Sequence, residues 1–144
     1  MKSKLSRRQS REQAFLLAFE RNFNNETVDE LCEIATESRD FEIDDFALGL
    51  LKKIEENEEQ IDEIIEKNAN GWKIRRISKT ALSILQLSVC ELRYSDMSSI
   101  KAENPVSVVI NEAVLLAKNY SSDKDSAFVN GVLGAVARSE KNNE

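Results

Sequence analysis

Histidine is absent from the 144 residues. That removes Ser-His and Cys-His nucleophile pairs and the usual histidine-containing zinc sites. Glycine is scarce, and Gly49, Gly71, Gly131 and Gly134 are too scattered to form a phosphate-cradling loop. A single proline among abundant Leu, Ile, Ala, Glu and Lys favours helix over sheet. No apolar run approaches the roughly 18 residues of a membrane span. The apolar stretch Ala14 to Phe19 ends in Glu20-Arg21 without a small-residue cleavage site, so it does not read as a secretory signal. The expected location is therefore the cytoplasm, with no membrane association. Cys32 and Cys90 lie far apart in apolar contexts and read as small core residues, with a reactive or metal-binding thiol as the second reading. Acids are too numerous for any catalytic carboxylate pair to stand out. No catalytic residue, metal or cofactor is expected.

What the chain does have is an uneven distribution of charge. The first eleven residues carry Lys2, Lys4, Arg7, Arg8 and Arg11 and no acid, whereas the remainder holds 15 basic and 26 acidic residues. Such an asymmetry suits a polyanionic partner, and the planar fork of arginine suits phosphate oxygens and bases. The competing reading is a solvated basic tail. From Glu26 to Glu66 there are 16 acids against three bases. That tract cannot face phosphate, and reads as a solvated face or a docking surface for a basic protein. A second cationic cluster, Lys73, Arg75, Arg76 and Lys79, follows Trp72. An aromatic among cations can bind nucleic acid; a lone tryptophan is also an ordinary packing anchor.

Periodicity predicts helices throughout. The first spans Arg8 to about Phe23, with Ala14, Phe15, Leu17, Ala18 and Phe19 on one broad stripe. Its cationic start opposes the helix dipole, a local conflict of the kind that marks functional sites. Thr27 and Glu30 form a capping box for a second helix. A long helical stretch runs from about Asp44 to Lys67, read as one helix or as two separated at the acidic tract Glu55 to Glu59. Asn70-Gly71 is a turn. Ser78 to Tyr94, apolar nearly all round, predicts a buried central helix. Residues 95 to 104 read as a loop, and Asn104-Pro105 starts the next helix. The last helix spans about Asp125 to Ser139, with Asp125-Ser126 as its cap and its backbone N–H groups open to phosphate. Gly131 and Gly134 are expected to let two helices approach closely. The sum is an all-α bundle of six or seven helices in one domain over residues 1–144, with residues 1–7 a flexible basic arm and 140–144 a flexible tail.

Three stretches resemble the NusB family of antitermination factors. They are Arg7-Arg8-Gln9-Ser10-Arg11-Glu12-Gln13-Ala14, then Ile110-Asn111-Glu112-Ala113-Val114-Leu115-Leu116-Ala117-Lys118 with Tyr120, and Phe128-Val129-Asn130-Gly131-Val132-Leu133. The segment Ile84 to Leu92 supports them. The resemblance implies two small helical bundles packed together and a non-enzymatic protein. It implies binding of the boxA element of nascent single-stranded RNA, with the ribosomal protein NusE as partner, in an RNA polymerase antitermination complex active chiefly in rRNA transcription. Family members are monomers or homodimers, and nothing in the sequence chooses. The expected RNA-binding residues are Lys4, Arg7, Arg8, Arg11, Phe19, Lys118, Lys124, Ser126 and Phe128. Phe128 is nominated for base stacking, with a core position as the competing reading. Asn111 and Glu112 read as structural ties between helices. Gln86 and Cys90 stand where the family commonly has arginine and tyrosine, so altered packing is expected there, with an altered partner surface as the second reading and the fold unchanged. The competing function is a helical protein-interaction scaffold with incidental RNA binding.

Overall fold

The computed structural model describes residues 5–39, 42–94 and 106–142. These form seven helices and no strand: α1 Arg7–Asn24, α2 Val28–Arg39, α3 Asp45–Glu56, α4 Glu58–Lys67, α5 Lys79–Arg93, α6 Val106–Tyr120 and α7 Asp123–Asn142. A short 3-10 turn covers Ile74–Arg76 before α5. Lys4, the 95–104 loop and the Asn104-Pro105 start signal lie outside the described residues.

Local chemistry sets most of these boundaries. Ser6 and Gln9 form a reciprocal capping box that starts α1 at Arg7, inside the stretch expected to be an arm. Asn25 ends the helix in the left-handed region at φ 57°. Thr27 and Glu30 bond each other's backbone N–H groups, as the sequence predicts. The Asp44 carboxylate caps α3 through the Ala47 N–H at 3.1 Å. The break between α3 and α4 falls at Asn57, whose side-chain amide donates to the Lys53 carbonyl at 2.9 Å. The amide competes with the helical ladder, and the surrounding acids repel one another if stacked in one continuous helix. Asn70 and Gly71, at φ 53° and 91°, make the turn after α4.

Helix α5 is the axis of the molecule. Every residue from Ala81 to Glu91 is buried. Helices α1, α3, α4, α6 and α7 all pack on it. One continuous apolar core joins Phe15, Leu50, Ile54, Ile61, Ile84, Leu85, Leu87, Val129 and Leu133. A smaller cluster of Leu17, Val28, Leu31 and Leu51 holds α2 against α1 and α3. Cys90 is a core residue, and Cys32 is half-buried against the smaller cluster.

One expectation is corrected here and one is narrowed. Gly131 and Gly134 do not mediate close helix approach: a Cβ at Gly131 would meet nothing within 4 Å, and one at Gly134 only the Arg138 guanidinium at 3.4 Å. Gln86 and Cys90 bear on packing and on no partner surface, each being 1 % exposed. Gln86 accepts from the Asn22 amide at 2.8 Å and donates to Asp62 at 2.8 Å, tying α1, α4 and α5 together.

Candidate nucleic-acid interface

The arginines at the head of α1 separate onto different faces. Arg7 and Arg11, one turn apart, both lie over the Phe46 ring, with guanidinium carbons 3.9 Å and 5.8 Å from its centroid. Arg11 continues inward to a two-pronged pair with Glu91 of α5, 2.6 Å at its shortest, with side chains 6 % and 1 % exposed. Arg8 points outward and is 71 % exposed, and Glu112 of α6 grips its guanidinium from below through Nε and Nη2. The hydrogen bonds and charge of Glu112 raise the Arg8 pKa, so it stays fully charged. These carboxylates and the Phe46 ring face answer the dipole conflict at the head of α1. Glu112 thereby ties α6 to α1, as the sequence suggested.

A second group lies where α6 turns into α7. Lys118 is exposed in the last turn of α6, and Lys124 is exposed in the first turn of α7. Phe128 is half-buried and meets Trp72 edge-on, with centroids 6.2 Å apart. Tyr120 joins the two groups: its hydroxyl donates to Glu12 at 2.5 Å and its ring lies 5.0 Å from Phe15. From Glu112 to Tyr120 the rise along α6 is about 12 Å, so Arg8 and the α6–α7 corner stand about two helical turns apart along α6. Phe19 is half-buried in an aromatic row, 6.3 Å from Phe15 and stacked on Phe23 at 6.1 Å.

The start of α7 needs correction. The helix begins at Asp123, and Ser122 is its cap, its hydroxyl accepting from the Asp125 N–H at 3.0 Å. Ser126 is buried within the first turns and donates to the Asp123 carbonyl at 2.9 Å. Asp125 accepts from the Ser78 hydroxyl at 3.1 Å, and from Ser121 as well. Two acids in the first turn, Asp123 and Asp125, take up the positive end of the dipole and oppose a phosphate there. The missed signal was Ser122, three residues before Asp125 in a polar run. Sequence reasoning also left Trp72 and Phe128 unconnected, and no periodicity could have joined them.

No group of side chains suited to hold a metal ion occurs among the described residues, and no helix there is long and apolar enough to cross a membrane.

The fold and this surface define a class of all-helical protein built around a buried central helix, with arginines at the head of its first helix. The model of the NusB family matches residues 8–138. The transcription antitermination protein NusB of Clostridium botulinum (strain Kyoto / Type A2) is 40 % identical over 148 residues, covering 92 % of this chain and 99 % of that one. A crystal form of T. maritima NusB matches with a TM-score of 0.76 at 28 % identity, covering all of both chains. A crystal structure of the antitermination factors NusB and NusE in complex with double-stranded RNA matches with a TM-score of 0.75 at 29 % identity, covering 92 % of this chain and 96 % of that one. The chain belongs to the NusB family.

Proposed function

We propose that the protein is a non-enzymatic RNA-binding antitermination factor. In this reading it binds boxA-type single-stranded RNA together with NusE and supports rRNA transcription by RNA polymerase. The observation that carries it is Arg8: a fully charged guanidinium held in solvent at the head of α1, oriented by Glu112 beneath it. A prepositioned fork loses less freedom on meeting a phosphate than an unrestrained side chain. Membership of a family with a NusB–NusE–RNA complex supports both partners.

The residues divide by role. Arg8 and Arg7, with Lys4, Lys118 and Lys124, meet phosphates. Phe128 offers a ring for one base, and Phe19 supports the aromatic row beside Tyr120. Arg11 and Ser126 are positioning residues: drawing Arg11 onto phosphate would leave Glu91 charged and buried, at a cost of about 3–5 kcal/mol. Five phosphates neutralised on a single strand give a salt slope of about −3.5. Stacking separates boxA from other sequences, because unpaired bases expose faces and edges that a duplex hides.

The test is an anisotropy titration at two salt concentrations with boxA strand, scrambled strand and duplex, each with and without NusE. Arg8→Ala is expected to weaken both single strands alike and to lower the slope by about 0.7. Phe128→Ala is expected to weaken boxA by roughly 5- to 150-fold, from about 1–3 kcal/mol of lost stacking, and the scrambled strand less. Equal losses for both strands on changing Phe128 overturn the stacking role. Undetectable RNA binding even with NusE leaves the scaffold reading, which the exposed Leu16 and Phe23 on α1 favour.

A further inference from the structure

Trp72 is the chain's only tryptophan, and it is 49 % exposed. A ring that served only to pack would bury most of its surface. Trp72 and Phe128, with Arg76, Ser78, Lys124 and Asp125, line a cleft of about 220 Å³. Sites for drug-sized ligands span about 300–1,000 Å³, so this cleft admits one planar ring system and not a whole cofactor. On its other side Trp72 borders an open cleft of about 370 Å³ shared with Lys73, Arg75 and Arg76.

The charges around these clefts are one-sided. Lys73, Arg75, Arg76, Lys79 and Lys124 are exposed, and none forms an ion pair among the described residues. Two acids line clefts with them, and both are engaged by local donors. Asp125 lies beside Arg76 and Lys124 and is held by the hydroxyls of Ser78 and Ser121. Glu66 lies beside Lys73 and Arg75 and accepts from the Ile74 N–H at 2.8 Å. The surface is thereby left open to anions in a protein that is acidic overall.

An accessible indole, a cleft one ring wide and unpaired guanidinium groups on both sides are the elements of base stacking with phosphate contact. An acidic protein segment would answer the cations, but it has no use for the ring-sized cleft. We infer that this face is a second RNA subsite: an unpaired base beyond the one at Phe128 stacks on Trp72, and Arg75 and Arg76 take the phosphates flanking it. The subsite rests on the RNA reading above and lengthens the strand's path from the α6–α7 corner to the turn before α5.

The single tryptophan makes the subsite directly observable. Indole emission is followed while the full chain is titrated with a short boxA strand, or with the same strand extended by a few unpaired nucleotides at either end. The extended strand is expected to quench Trp72 emission and to bind more tightly than the short one. Trp72→Ala should lose about 5- to 150-fold on the extended strand, and less on the short strand, which meets Trp72 only through its contact with Phe128. Trp72→Phe keeps a stacking face and should retain most of the gain, which separates stacking from a folding defect. Arg75→Gln and Arg76→Gln should each reduce the salt slope on the extended strand by about 0.7. Equal binding of both strands with unmoved emission overturns the subsite and leaves the proposed function standing. Emission that answers only to NusE also overturns it and makes the face a protein surface. If neither strand binds with NusE present, the RNA reading itself fails, and the subsite with it.

Discussion

The buried pair between Arg11 and Glu91 is the most consequential interaction that the arginine run conceals. Its side chains are 6 % and 1 % exposed and meet at 2.6 Å. Replacing Arg11 with Met keeps the apolar stem and removes the charge, leaving the Glu91 carboxylate in the core without a counter-ion. Breaking a buried pair from one side costs about 3–5 kcal/mol. For a chain of this size that lowers Tm by about 10–20 °C, since each kcal/mol moves Tm by roughly 3–4 °C. Removing both charges, as Arg11→Met with Glu91→Leu, also removes the stranded carboxylate and should recover most of the loss, because well-packed apolar pairs often replace ionic ones without cost. Urea unfolding of the wild type, both single variants and the double variant at pH 7 measures all of this. A single variant as stable as wild type, or a double variant no better than the single, would refute the role of Arg11 as an internal anchor.

Other consequences follow from the same geometry. Burial, aided by the Glu91 charge, pushes the Cys90 thiol up to about 12; burial first and Asp29 second also raise Cys32, which is only half-buried. Alkylation at pH 8 read by mass spectrometry should therefore label Cys32 first and Cys90 only as the core opens. Burial also raises the Asp62 carboxyl, with Glu58 and Glu66 adding to the shift while Gln86 and Arg21 oppose it. The ionised form is thus disfavoured in the fold, and stability linked to this group is present below about pH 3.9 and lost as pH rises through the folded value. Asp62→Asn keeps an acceptor for Gln86 and should stabilise at pH 7 with no gain at pH 3, as denaturant midpoints would show. Gly131→Ala sits on an exposed helical position with open space around its Cβ; it should stabilise by about 0.5–1 kcal/mol through helix propensity, and a loss in thermal unfolding would contradict that placement.

Much of the fold was legible from residue order. The i, i+3, i+4 recurrence of apolar residues is imposed by the helix itself, so a bundle of six or seven helices, the buried middle of α5 and the Thr27–Glu30 capping box could be read from residue order. The break at Asn57 was legible as an acidic tract, because like charges one turn apart repel whatever the helix packs against. The start of α7 was less clear, since Ser122, Asp125 and Ser126 are all competent caps and only the chain's path chooses between them.

The site divides along the same line. Charge is a property of the residue, so an arginine-rich head on an acidic chain was apparent from composition and order alone. Whether each guanidinium faces water depends on partners distant in sequence: Glu91 draws Arg11 into the core, Glu112 holds Arg8 at the surface, and Phe46 lies under Arg7. The meeting of Trp72 with Phe128 is of the same kind. Helical periodicity reports which face of an element is apolar, but it carries no information on which other element will cover that face. That was decided only when α4, α5 and α7 packed around one core.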